Sequence, residues 1–117
     1  GAGTSNSNIK NNASIVKVWT PKGEINAGQK CGVFMGDYSK TSINTSINTG
    51  TVIGVCSNIF EAGLTPKYIP NFSWGCDGLR RYDLEKALTN IGEWKKLKGK
   101  YITENEKTIL TYIFKNY

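Results

Sequence analysis

Residues 35–64 read MGDYSK TSINTS INTGTV IGVCSN IFEAGL, five consecutive six-residue blocks in one phase. The first position holds Met35, Thr41, Ile47, Ile53 and Ile59, and the fifth holds Ser39, Thr45, Thr51, Ser57 and Gly63, all small. Gly36, Ser42, Asn48, Gly54 and Phe60 occupy the second. Period six is neither the 3.6 of a helix nor the alternation of a two-sided strand. It suits a triangular coil with one short strand and one turn per side, whose successive coils pair as parallel sheets. In such a coil the aliphatic first position points inward, and the fifth must be small because the corner has little room. The second is expected to use the left-handed backbone open to Gly and Asn. Thr41 in an aliphatic slot and Phe60 in a small one are defects of the pattern.

Working outward, Gly1–Thr4 (GAGT) fits positions two to five of the same repeat, and residues 25–30 (INAGQK) resemble another unit out of phase. An irregularity is therefore expected at 31–34. Residues 14–19 (SIVKVW) are β-prone and run into the turn signal TPKG at 20–23, so residues 10–30 read as a protruding hairpin. Downstream, Thr65-Pro66, Ile69-Pro70-Asn71 and Gly75-Cys76-Asp77-Gly78 mark an irregular connector. Its aromatics Tyr68, Phe72 and Trp74 are expected to seal the open end of the coil. Asp83 opens a helix carrying Leu84, Ala87, Leu88 and Ile91 on successive turns, and Gly99 ends it. Thr103 with Glu106 three residues on is a capping box for a second helix, with Ile109, Leu110, Ile113, Phe114 and Tyr117 as its apolar face. The expected organisation is a β region over 1–64, a connector over 65–82 and a helical tail over 83–117.

The composition of the 117-residue chain removes much chemistry. There is no histidine, so a Ser-His-Asp triad, a Cys-His pair and a His-ligated zinc cannot be built from this chain. Cys31, Cys56 and Cys76 are odd in number and far apart, which suits reduced thiols in a cytoplasmic protein and leaves no metal site. No apolar run approaches the ~20 residues of a membrane span. Of the net charge of +6, residues 67–117 carry the larger part, densest at Lys95, Lys96, Lys98 and Lys100. That run fits a solvated helix end, where cations suit the dipole. Without a nucleic-acid-binding motif, neither nucleic acid nor membrane is expected as a partner. The chain opens on Gly1 and its one methionine is Met35, which reads as a processed start or the edge of a larger protein.

The hexads resemble those of the hexapeptide-repeat, left-handed parallel β-helix family. The opening GAGTSNSNIKNN is similar to the GAGT-x-x-x-N segment of bifunctional N-acetylglucosamine-1-phosphate uridyltransferases, in their acetyltransferase half. The run KVWTPKGEINAGQKCGVFMGDYSKTSINTSINTGTVIGVCSNIFEAGLTPKYIPNFSWG resembles bacterial sugar-nucleotidyltransferase-like proteins whose hexapeptide domain ends in helices. The resemblance implies a mainly β fold: a left-handed parallel β-helix with a protruding hairpin and a C-terminal two-helix tail. It also implies a homotrimer with sugar-nucleotide or acyl-CoA clefts between subunits, acetyl-CoA being the implied cofactor. Asn8 falls on the motif asparagine; together with Asn6 and the outward-facing Asp37 it makes up the expected substrate or acyl-CoA contacts. Ile9 departs from the family's aromatic, and the family's general-base histidine lies upstream of GAGT. No catalytic residue is therefore expected in this chain, which alone is expected to be inactive while the parent protein is a transferase. The alternative is a purely structural oligomerisation module without a ligand of its own.

Overall fold

Side-chain size at the repeat positions controls how closely the strands approach. In the computed structural model, which describes residues 1–61 and 63–117, the strands are β1 (Ser5–Asn6), β2 (Lys17–Val18), β3 (Ile25–Asn26), β4 (Phe34–Met35), β5 (Lys40–Thr41), β6 (Ser46–Ile47), β7 (Val52–Ile53), β8 (Asn58–Ile59) and β9 (Tyr68–Ile69). Two helices follow, α1 (Leu84–Leu97) and α2 (Glu104–Asn116). Ala62, within the fifth hexad, lies outside the described residues. β1 pairs with β6 and β5 with β8, both in parallel, while β4, β7 and β9 form a parallel three-stranded sheet. Partners on β4–β7 and β5–β8 lie three hexads apart: Phe34 sits beside Val52 and Lys40 beside Asn58.

The expected left-handed parallel β-helix is overturned. Each strand is two residues long, the sheets are separate and at most three strands deep, and no closed or solenoid sheet forms among the described residues. Two causes are visible. Residues 25–30 do not extend the parallel set, because β3 turns back antiparallel onto β2, with Val18 opposite Ile25. The apolar interior is also divided. Ile47, Ile53, Ile59 and Ile69 form one cluster, and Cys56, Phe72, Tyr82, Ala87, Ile91 and Leu110 form another, built jointly by the β region and the helices. Met35, an inward position of the first hexad, is 43% exposed.

The second position behaves differently from the sequence expectation. The left-handed backbone falls instead on the fourth position, at Tyr38, Asn44, Gly50 and Cys56. Glycine at the second position answers to close approach: a Cβ on Gly36 would lie 2.7 Å from the Gly54 carbonyl carbon, and one on Gly54 would strike Asn71. Asn71 completes this stack, its Oδ1 accepting from Val55 N at 2.7 Å. Small hydroxyls fill the fifth position. Thr45, Thr51 and Ser57 are buried, and their hydroxyls bond neighbouring carbonyls, as in Ser57 Oγ to Pro70 O at 2.8 Å. Every buried side-chain nitrogen and oxygen among the described residues has a partner, so these polar groups avoid the ~1–3 kcal/mol cost of an unmade bond. Thr41 is accommodated likewise, 3.0 Å from Thr4 Oγ1.

Both helices begin on side-chain caps. Asp83 accepts from Lys86 N at 2.9 Å, and Thr103 with Glu106 closes the capping box. They pack on the connector and β region of their own chain: Ala87, Ile91 and Leu110 share a cluster with Cys56 and Phe72, and Phe72, wholly buried, meets Phe114 edge-on with ring centroids 5.0 Å apart. Tyr68 instead stacks on Trp19 at 3.5 Å, pinning the hairpin to the three-stranded sheet. Ile109 and Tyr117, expected on the apolar face of the second helix, stay exposed.

Two glycine substitutions test this packing with opposite signs. Gly54→Ala is expected to destabilise the protein by about 1–3 kcal/mol through overpacking against Asn71. Gly92→Ala, mid-helix in α1 with its new methyl 3.8 Å from Ile102, is expected to stabilise by about 0.5–1 kcal/mol. Urea unfolding reads both, and equal effects at the two sites would refute the close-approach account.

Candidate functional site

The turn between β4 and β5 carries Tyr38 and β5 itself Lys40, while the last turn of α1 carries Trp94 and Lys95, and Lys98 is its C-cap. Helix and strand meet over a groove of about 460 Å³ lined by these side chains, together with Lys100 beyond the helix end. Ile91 completes the lining, so its walls are four lysines, an indole, a phenol and one aliphatic side chain, with no carboxylate among the lining residues. A second groove of about 480 Å³ shares Lys40 and Trp94 and continues past Thr41, Asn58, Asn90 and the carboxylate of Glu93, which pairs with Lys96.

The lysines differ in electrostatic standing. Lys95 is engaged: its Nζ lies 2.8 and 2.6 Å from the two Glu106 carboxylate oxygens. Tyr38 donates its hydroxyl to the same carboxylate at 2.6 Å. The hydrogen bond from Lys95, then that from Tyr38, pulls the Glu106 pKa down to about 2. The same carboxylate raises the Tyr38 and Lys95 pKa values. By contrast, Lys40, Lys98 and Lys100 have no ion-pair partner among the described residues. Lys40 is half-buried, donates only to the Tyr38 carbonyl at 3.3 Å, and burial pushes its pKa down. A desolvated ammonium without a counter-charge is stabilised by any anion that reaches it. The groove can therefore hold phosphate or carboxylate groups on Lys40, Lys98 and Lys100, with a planar or apolar ligand portion against Trp94.

The residues expected from the sequence lie elsewhere. Asn6 pairs with Ile47 on the β1–β6 sheet and is exposed. Asn8 is exposed too, its carbonyl accepting from Cys31 N at 2.8 Å. Asp37 sits in the β4–β5 turn, exposed, with its carbonyl accepting from Cys56 N at 2.9 Å. Asn6 and Asn8 share one segment, and the fold does not bring Asp37 into a groove with them. Asp37 precedes Tyr38, which does line the groove. Lys40 and Glu106 were missed: the first sits in the sixth hexad position, and the second was read only as a cap. The readable signal was the lysine run at 95–100, which needed a facing strand before it could define a site.

Cys56 is buried, and burial pushes its thiol pKa up to about 11, so it is unreactive as a nucleophile. Cys31 and Cys76 are partly exposed, and all three cysteines are free. Among the described residues no cluster of His, Cys, Asp or Glu is fit to hold a metal ion, and no helix is long and apolar enough to cross a membrane. Comparison with known proteins finds no match to a family model, a curated protein or a solved structure.

The Glu106 contacts have a defined pH signature. Its folded pKa near 2 lies below the ordinary 4.5, so its contribution to stability is complete above pH 4.5 and is lost as pH falls towards 2. In thermal melts the gap between wild type and E106Q is expected to be steady near neutral pH and to close across that window. A gap that persists unchanged at the acid end would show that Glu106 acts through something other than its charge.

Proposed function

We propose that this chain is the ligand-binding and oligomerising domain of a bacterial, cytoplasmic transferase, and that its lysine-lined groove takes the diphosphate of a sugar nucleotide or of an acyl-CoA such as acetyl-CoA. The observation carrying this reading is the set of three lysines without ion-pair partners, Lys40, Lys98 and Lys100, placed around Trp94 in one groove. A nucleotide carrier presents both complements, a doubly charged phosphate pair and a planar base. The three free thiols suit a reducing compartment. With no histidine in the chain and no carboxylate lining the groove, the role assigned is binding and presentation of the carrier, the chemical step belonging to the parent transferase.

A homotrimer fits the exposed apolar side chains on the sheet edge. Phe34 and Met35 on edge strand β4 are 53% and 43% exposed, a surface that assembly would cover. This edge also favours the second reading, a structural oligomerisation module with no ligand of its own. Calorimetric titration with a uridine diphosphate sugar and with acetyl-CoA separates the two. Under the first reading at least one binds, and K98E/K100E weakens it about tenfold or more, equivalent to ~1.4 kcal/mol. Absence of heat and of any Trp94 fluorescence change with both ligands would leave only the structural role.

A further inference from the structure

Glu106 does not line the groove, yet its carboxylate holds two side chains that do. Lys95 Nζ lies within 2.8 Å of both its oxygens, and Tyr38 Oη lies 2.6 Å from one of them. It reaches this position because it is the third residue of α2, where the capping box with Thr103 fixes its backbone. Lys95 also sits 5.7 Å from the centre of the Tyr38 ring, so ammonium, phenol and carboxylate form one knot between α1, α2 and the β4–β5 turn. A carboxylate held by an ammonium and a hydroxyl is what a bound anion in this groove would look like.

We infer that Glu106 is a positioning residue that acts as the groove's internal anion, holding Lys95 and Tyr38 in place and lowering the groove's affinity for external phosphates by neutralising Lys95. The inference rests on the anion-binding reading of the groove. The cationic wall has two parts: Lys40, Lys98 and Lys100 available at once, and Lys95 available only to a ligand that displaces Glu106. Such a ligand must offer Lys95 an anion at least as well placed as the carboxylate it replaces.

Substitution by Gln separates this role from mere support of the fold. Glutamine keeps its one acceptor oxygen for the capping-box bond from Thr103 N and turns its amide NH2 to the Tyr38 hydroxyl, which then accepts, so α2 keeps its cap while the charge disappears. Inorganic pyrophosphate is the probe, titrated calorimetrically into the full chain. E106Q is expected to bind it about fivefold tighter than wild type, the scale of one unit charge a few ångströms away in water. Adding K95Q to E106Q is expected to abolish the gain. A structural role predicts the opposite sign, because loosening α2 would weaken binding. Equal or weaker binding by a folded E106Q, as judged by its circular dichroism, overturns the inference while leaving the anion-binding reading intact. Failure of both wild type and E106Q to bind pyrophosphate overturns that reading itself. Should E106Q not fold, wild type alone decides: the Glu106 carboxylate carbon resonance is expected to shift at pyrophosphate saturation, and an unmoved resonance overturns the inference.

Discussion

The close approach of Gly36 to Gly54, and of Gly54 to Asn71, is the constraint on which the remaining geometry depends. These contacts leave no room for a Cβ, so β4, β7 and β9 must stack in one register, with Met35 beside Ile53 and Ile53 beside Ile69. That register aligns the isoleucines into one buried cluster and sets the hydroxyls of Ser39, Ser57 and Ser73 where each finds a backbone partner. A slip of one residue would turn the isoleucines outward and leave the hydroxyls unsatisfied. It would also move Tyr38 and Lys40, which follow Gly36 by two and four residues, out of reach of α1.

Much of this was legible in residues 35–64, and the reasons for the failures are physical. The first-position isoleucines and fifth-position hydroxyls are readable because burial tolerates only apolar or fully bonded small groups, and Ile53, Thr51 and Ser57 meet those demands. The role of the second position was misread. A glycine reports either a left-handed φ or a near neighbour, and one sequence cannot tell which. Here the left-handed residues include Tyr38, Cys56 and Phe72, none of which announces that conformation by its type. The fold class failed for a related reason. Periodicity specifies what one strand requires of its neighbours but not how many neighbours exist. With β3 turned antiparallel and Phe72 committed to the helices, the parallel set stops at three strands.

The groove was the least legible part, because its two walls lie more than 50 residues apart in the chain. Lys95, Lys98 and Lys100 read alone are a charge run at a helix end, and solvation accounts for them completely. They acquire another meaning only when the fold sets the end of α1 across a groove from β5 and so places them opposite Lys40. The apolar faces of the two helices call for a surface to lie on, and the sequence does not say whose. Cys56, Phe72, Tyr82, Ala87, Ile91 and Leu110 answer that question through one shared cluster within this chain. The same cluster makes the groove a property of the folded monomer.

Charge placement in that groove follows from the helix that builds it. Cations are stabilised at the end of α1 by the helix dipole, so Lys95 and Lys98 have a local reason to be there whether or not a ligand exists. Lys40 has no such reason. It lies on a strand, half-buried, with its ammonium on a single carbonyl and no helix end of its own to favour it. Burying an unpaired ammonium works against folding, and a glutamine or threonine at the same strand position would meet the same carbonyl without that cost. Lys95, by contrast, has the Glu106 carboxylate within 2.6 Å. No ion pair forms at Lys40 among the described residues, so the two lysines of one groove differ in what their burial costs.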